Sequence, residues 1–490
     1  MSETENQLET SPIDEKRPAG DLPLCVDMDG TVIRTDALVE ATAQFLKHRF
    51  HLAPKIAFWL ARGRAWLKHR VAANGILDVT HLPYEERVLE LIREARAEGR
   101  RTVLCTASNI YHARAVAQHL GLFDEIMASD EKINLSGENK RHALVAKFGE
   151  SGYDYVGNDV KDVPAFESAR RAFIVAPTKP LRRELHRLPD AEHLVPPRDP
   201  TWRDYARQLR LHQWLKNALL FVPLLASQRF NETGAVIHSL LAFLSFGLCA
   251  SSVYVLNDLM DLPADRRHPR KRHRPFASAR IPVEHGVVLI PGLLLASFVL
   301  ALFLPLAFVG VLAGYYFVTL NYNLWAKNIA VLDTLTLAGL YTLRIIAGAA
   351  AIAVVPSFWL LAFSMFFFLS VAMAKRYSEL VNTDLSDDDT IPGRQYRRID
   401  LNTIMSEGAA SGYAAVIILA LYINSDEVAA SYSHPEVIWL TCPLLLYWVN
   451  KLWLNTQRKE MTDDPLVWAM ENRVSRGIAV MCTLLLIAAI

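Results

Sequence analysis

The chain has 490 residues, room for two or three domains, and 52% of them are hydrophobic. A formal net charge of only +1 removes any bulk electrostatic case for a nucleic-acid partner. The 5 cysteines are scattered with no C-x-x-C pair, which argues against a disulfide framework or a zinc site and fits a reducing compartment.

Residues 1–21 are polar and acidic without an apolar core, so a disordered leader is expected rather than a signal peptide. Over residues 22–178, short apolar runs (Leu22–Val26, Arg101–Ser108, Asp124–Ser129, Tyr153–Asp159, Ala172–Ala176) alternate with helical stretches. That alternation predicts an α/β, Rossmann-like domain with a parallel sheet covered on both faces. Residues from about 36 to 100 read as a helical cap. In it, Phe58, Trp59 and Trp66 lie beside Lys55, Arg62, Arg64, Lys68 and Arg70, which suits either a membrane-surface helix or an ordinary cap helix. The proline-rich, charged stretch 179–202 is expected to be a linker.

Residues 203–490 change character. Apolar stretches near 217–230, 235–256, 284–304, 306–325, 330–350, 356–374, 408–424, 436–455 and 474–490 predict an all-α polytopic bundle of about nine transmembrane helices. Basic residues crowd the loops Asn257–Pro282 and Lys375–Glu407, so both are placed on the cytoplasmic side of the inner (plasma) membrane. The N-terminal domain and the chemistry are expected on that same side.

The first motif is Asp27-Met28-Asp29-Gly30-Thr31, directly after a strand. Two acids there point out of the sheet's carboxyl edge, where open α/β sheets bind ligands. The bland reading is a turn with two solvated acids. Thr106, Lys140 and Gly157-Asn158-Asp159-Val160-Lys161-Asp162 then follow in order. This set resembles the haloacid dehalogenase superfamily over residues 22–178. The resemblance implies Asp27 as phosphoryl-accepting nucleophile, Asp29 as general acid/base, and Thr106 and Lys140 as phosphoryl clamps. It also implies Mg²⁺ held among Asp27, Asp29, Asp159 and Asp162. A carboxylate attacks phosphorus only when phosphate charge is neutralised, which is the work of the metal and the lysine. Asn158 stands where the family usually has Asp, so metal affinity is expected to fall; a degenerate scaffold domain is the alternative.

The second motif closes an apolar stretch: Asn257-Asp258, then Asp261 and Asp265. On a helix these three acids share one face. At a membrane boundary they need a divalent cation or basic partners, and hard oxygen ligands suit Mg²⁺ with a diphosphate. The bland reading is an acidic cap paired with the arginines that follow. Of those cations, Arg266, Lys271 and Arg274 bind substrate phosphates or simply mark the cytoplasmic face. A further polar set, Lys327, Asp333 and Arg344, lies on or beside the fifth apolar stretch. It reads either as an ion pair within the bundle or as a second phosphate-binding edge of the same cavity.

These features resemble the UbiA-type intramembrane prenyltransferase superfamily over residues 203–490. The segments Arg210–Asn217, Asn257–Pro275, Lys327–Gly348, Lys375–Leu380 and Asp463-Asp464-Pro465 are similar to its decaprenyl-phosphate phosphoribosyltransferase branch. The second acidic motif has one clear acid, Asp333, and Asn472 stands where that branch often has Asp. The resemblance implies a Mg²⁺-dependent transfer of 5-phosphoribose from 5-phosphoribosyl 1-diphosphate to a polyprenyl phosphate in the bilayer. Asp258 and Asp261 would be catalytic, with Asp265 beside them on the metal. Lys216, Asn257, Lys327, Asp333 and Arg344 would bind substrate. The fusion implies that the phosphatase domain removes the 5-phosphate of the lipid product. The rivals are a prenyltransferase acting on an aromatic acceptor and a non-enzymatic membrane scaffold or transporter. An oligomer is left open.

Overall fold

The computed structural model describes residues 22–49, 52–74, 77–382, 390, 394–425, 432–461 and 465–489. The expected leader and the pair Asp463-Asp464 lie outside these residues. The chain forms two compact units, one of residues up to 208 together with 258–287, the other of 209–257 with 288–490.

In the first unit the elements run β1 (Leu24–Val26), α1 (Ala37–His48), α2 (Ala53–Ala61), α3 (Arg64–Asn74), α4 (Glu86–Ala97), β2 (Thr102–Asn109), α5 (Ile110–Leu120), β3 (Glu125–Ser129), α6 (Glu138–Phe148), β4 (Asp154–Gly157), α7 (Val163–Glu167), β5 (Arg171–Val175), α8 (Lys179–Glu184), β6 (Glu192–Val195) and α9 (Trp202–Gln208). The strands form one six-stranded sheet in the order β3-β2-β1-β4-β5-β6, and every pairing is parallel. Alternate residues feed opposite faces, as the strand repeat demands. Leu24, Val26, Leu104 and Val156 pack into one core, while Cys25, Val103, Cys105 and Tyr155 pack into the other. Parallel strands buried on both faces are therefore apolar throughout.

Two expectations change. The stretch 179–202 carries α8 and the sixth strand, whose Phe173↔Glu192 pairing extends the sheet. Flanking prolines and charges disguise a four-residue edge strand. Within the expected cap, α4 buries Val88, Leu89 and Ile92 in the sheet's core. In the aromatic cap stretch Trp59 packs inward on Phe45 at 5.4 Å, while Phe58 is exposed.

The helices that follow are α10 (Val222–Ala226), α11 (Thr233–Met260), α12 (Leu262–Arg267), α13 (Val283–Ala301), α14 (Leu306–Leu324), α15 (Leu332–Ala351), α16 (Phe358–Asn382), α17 (Leu401–Ile423), α18 (Pro435–Ile438), α19 (Thr441–Gln457), α20 (Pro465–Glu471) and α21 (Arg473–Ala489). Among the described residues, 6 helical spans are long and apolar enough to cross a membrane, or 7 if the pair α20–α21, bent by 80°, counts as one. The expected nine are not reached. The first expected span is a 3-10 segment, Leu211–Phe221, running into the five-residue α10. Helix α14 is present, but Thr319, Asn321, Tyr322 and Asn323 dilute its apolar character. Asn472 has a local role: its carboxamide oxygen accepts from the backbone N–H of Val474 and Ser475 and caps α21 at the bend.

Close packing in the second unit depends on particular glycines. A Cβ at Gly348 of α15 would overlap the Leu220 carbonyl oxygen, whereas one at Gly314 of α14 meets nothing within 4 Å. Backbone cannot yield as a side chain does, and overpacking of this kind costs about 1–3 kcal/mol. Gly348→Ala should lower the melting temperature of the detergent-solubilised protein, while Gly314→Ala should leave it unchanged or raise it. Equal melting curves for the two variants would contradict this packing.

Candidate functional site

At the carboxyl edge of the sheet, β1 delivers Asp27 and Asp29, β2 delivers Thr106, and the loop after β4 delivers Asn158, Asp159 and Asp162. Lys140, on the first turn of α6, is almost wholly buried. Its Nζ donates to Asp27 Oδ1 at 3.0 Å, to Asp162 Oδ1 at 2.8 Å and to Tyr155 Oη at 2.8 Å. An ammonium with three donors is thereby saturated. Asp162 is saturated as well. Its Oδ1 also accepts from Tyr155 Oη, and its Oδ2 accepts the backbone N–H of Asn158 and Asp159. Asp162 thus shapes the loop and fixes the lysine. Asp159 caps the short 3-10 turn that follows.

Asp29 Oδ1 accepts the N–H of Ala37 at 2.9 Å, and Asp29 Oδ2 accepts from the Ser108 hydroxyl. Thr106 Oγ1 in turn accepts the Ser108 N–H at 3.0 Å. Burial pushes Asp27 up to about 6 against the pull of Lys140. Burial, reinforced by the charge of Asp36, pushes Asp29 up to about 8. For Asp162 burial acts upward, but Lys140 and the surrounding hydrogen bonds outweigh it and its pKa falls. At neutral pH the neighbouring acids are therefore split: Asp27 ionised, Asp29 protonated. That is the division a nucleophile and a general acid require.

A magnesium ion here would be held by Asp27 and by the neutral carboxamide of Asn158, which reaches from the loop after β4 to lie against Gly30 of the loop after β1. One carboxylate plus an amide fits an ion that arrives with a substrate phosphate. Sequence reading missed Ser108 and Tyr155, which bear no signal beyond their polarity. It also missed Lys68, whose Nζ crosses from α3 to the Ala107 carbonyl at 2.7 Å.

The acidic motif lies where α11 ends and α12 begins. Arg274 Nη1 donates to Asp258 Oδ1 at 3.0 Å and to Asp265 Oδ2 at 2.6 Å. Gln208 Nε2 donates to Asp258 Oδ2 at 2.8 Å. Asp261 instead meets Lys47 Nζ of α1 at 2.7 Å. Arg266 forks onto buried Glu40 at 2.6 and 2.8 Å, so it is not turned to a ligand. Among the described residues no three His, Cys, Asp or Glu groups converge as metal ligands. Two carboxylates, Asp258 and Asp265, bracket one cationic nitrogen of Arg274, and hard oxygen donors of this kind are the ligands magnesium takes. Asn257 and Lys271 lie on the same stretch, half-buried and exposed.

In the second unit, Asp333 is fully buried. It accepts from Tyr322 Oη at 2.8 Å, from Arg394 Nη1 at 2.9 Å and from Arg376, which engages both carboxylate oxygens. Arg376 also pairs with Glu379. Arg344 does not pair with Asp333. It donates to Asn217 Oδ1 at 3.1 Å, the Leu340 carbonyl at 2.6 Å and Tyr315 Oη at 3.1 Å, under the rings of Phe246, Tyr315 and Tyr341. Lys216 and Lys327 lie half-buried on 3-10 turns. Arg376 was legible as part of the Lys375–Leu380 resemblance segment and Arg394 as a basic loop residue, but neither was read as a partner of Asp333.

The split acids at the sheet edge give a pH expectation. Hydrolysis of a phosphomonoester by the full-length protein should rise with an apparent pKa of about 6 as Asp27 ionises and fall with one of about 8 as Asp29 loses its proton. A pH–rate profile still flat at pH 9 would contradict this assignment.

Comparison with known proteins identifies both parts of the chain. The UbiA prenyltransferase family matches residues 218–471, and a haloacid dehalogenase-like hydrolase matches residues 24–167. The uncharacterized protein y4nM of Sinorhizobium fredii is 35% identical over 457 residues, 93% of this chain and 88% of that protein. A decaprenyl-phosphate phosphoribosyltransferase of Mycolicibacterium smegmatis is 35% identical over 178 residues, 36% of this chain and 56% of that enzyme. The solved structure of a UbiA homolog from Archaeoglobus fulgidus bound to DMAPP and Mg²⁺ is 16% identical, with a TM-score of 0.44 over 58% of this chain and 96% of that one. The chain belongs to the UbiA prenyltransferase family and is an enzyme, a multi-pass membrane transferase carrying a haloacid dehalogenase-like hydrolase domain at its N-terminal side.

Proposed function

We propose that the protein transfers 5-phosphoribose from 5-phosphoribosyl 1-diphosphate to a polyprenyl phosphate, with Mg²⁺, and that its hydrolase domain then removes the 5-phosphate. The reading is carried by the bracketing of one cationic nitrogen by Asp258 and Asp265. A divalent ion arriving with a diphosphate would take up the positive charge that these acids now draw from Arg274. Support for the phosphoribosyl branch comes from the phosphoribosyltransferase named above, which shares about half its length with this chain. The basic loops favour the cytoplasmic side of the plasma membrane.

In this mechanism Asp258 and Asp265, joined by Asp261 once it is released from Lys47, would hold a magnesium ion, which would supply charge neutralisation to the leaving diphosphate. Arg274 lies beside the acids and offers a guanidinium to phosphate oxygens as it leaves Asp258 and Asp265. The C1–O bond of the donor breaks toward diphosphate, and an oxygen of the lipid phosphate forms the new bond to C1. That oxygen is anionic at neutral pH, so no general base is needed. Charge stabilisation alone carries the rate. In the hydrolase domain Asp27 attacks the 5-phosphate, Lys140 offsets its charge, and protonated Asp29 delivers a proton to the departing 5-oxygen. Water then releases phosphate from Asp27.

The test is detergent-purified protein with Mg²⁺, labelled donor and polyprenyl phosphate, read by lipid mass and pyrophosphate release. Asp258→Asn should lower kcat/KM for the donor by about 100-fold or more, and Asp27→Asn should leave the lipid product phosphorylated. Transfer of a prenyl group to an aromatic acceptor, with no lipid phosphoribose formed, would overturn the proposal.

A further inference from the structure

We infer that Lys47, a residue of the hydrolase cap, is a working part of the transferase's diphosphate motif. The inference rests on the reading of Asp258, Asp261 and Asp265 as the metal and diphosphate motif, and gives that motif a member from another domain. One face of α1 is turned to that motif. Glu40, Gln44 and Lys47 recur at helical spacing and so share a side. All three turn to the segment Met260–Arg266. Glu40 takes the forked Arg266 guanidinium, and both side chains are nearly inaccessible, at 3% and 6% exposure. Gln44 Nε2 donates to the Met260 carbonyl at 3.1 Å. Lys47 Nζ meets Asp261 Oδ1 at 2.7 Å. A further tie joins Arg267 to Asp78. A solvent-facing cap helix would have no reason to bury a glutamate and a glutamine in register with another segment's cations and carbonyls.

The opposite end of α1 is equally fixed. Asp36 caps it, and the N–H of its first residue, Ala37, donates to Asp29. Lys47 therefore stands on a helix held at both ends, and little ordering entropy remains to be lost when it engages a ligand. Its side chain is 30% exposed and that of Asp261 20%, so the pair is open to an incoming anion. The ammonium has two further N–H donors to offer phosphate oxygens. In the absence of diphosphate, Lys47 neutralises Asp261 and competes with a metal ion for it. With diphosphate bound, the same ammonium adds attraction for the anion. The hydrolase domain is then needed for donor binding as well as for any later hydrolysis.

The two roles have opposite signs, which a merely structural salt bridge does not produce. In full-length protein in detergent, Lys47→Met should bind Mn²⁺ alone about twofold to fivefold more tightly by electron paramagnetic resonance. It should bind inorganic pyrophosphate in the presence of Mn²⁺ about twofold to fivefold more weakly, the range set by a partly exposed ion pair. Lys47→Arg should restore both values toward wild type and guards against a folding artefact. Unchanged Mn²⁺ and pyrophosphate affinities in Lys47→Met, alongside weakened Mn²⁺ binding in Asp258→Asn, would overturn the role of Lys47 alone. Mn²⁺ binding that ignores Asp258→Asn would overturn the underlying motif reading, and the Lys47 role with it.

Discussion

A buried carboxylate must keep a positive partner, and that constraint organises both units of this protein. Asp258 and Asp265 share Arg274, Asp27 and Asp162 share Lys140, and Asp333 is enclosed by Arg376 and Arg394. Removing charge from water costs several kcal/mol per ion unless geometry and hydrogen bonds return it. Each cluster meets that condition by saturating its donors. The same saturation separates the sites by kind. Asp162 and Asp333 each have both oxygens engaged by several donors. Where two acids lean on one long, partly exposed arginine, the cation can be exchanged for another.

The hydrolase-like site shows how a fold divides labour between similar side chains. Asp27 and Asp29 leave the same strand two residues apart, yet one faces a buried ammonium and the other a hydroxyl and a backbone N–H. Burial raises both, and the ammonium holds Asp27 lower. Asn158 stands in that loop as a neutral amide, so the buried charge that Lys140 balances comes from Asp27 and Asp162.

Helix α1 links the chemistry of the two motifs within the first unit. Its N-terminus rests on Asp29, and its polar face grips the acidic motif. The segment 258–287 was read as a loop of the membrane domain, yet it packs as part of the unit containing the sheet. Ion pairs and hydrogen bonds contribute to that union, among them the Glu40–Arg266 fork.

Much of this was legible in the residues alone. Apolar strands ending in acids, and apolar helices ending in N-D-x-x-D-x-x-x-D, follow from local repeat and local chemistry, so the two fold classes, the family resemblance and the candidate acids could be read in order along the chain. The edge strand β6 and the 3-10 segment Leu211–Phe221 could not, because prolines and tryptophans send mixed local signals that only pairing and packing resolve. Which cation meets which acid was also beyond reach. Lys47 and Asp261, or Arg376 and Asp333, are far apart in the chain, and electrostatic partnership depends on distance in space, which only the tertiary structure decides.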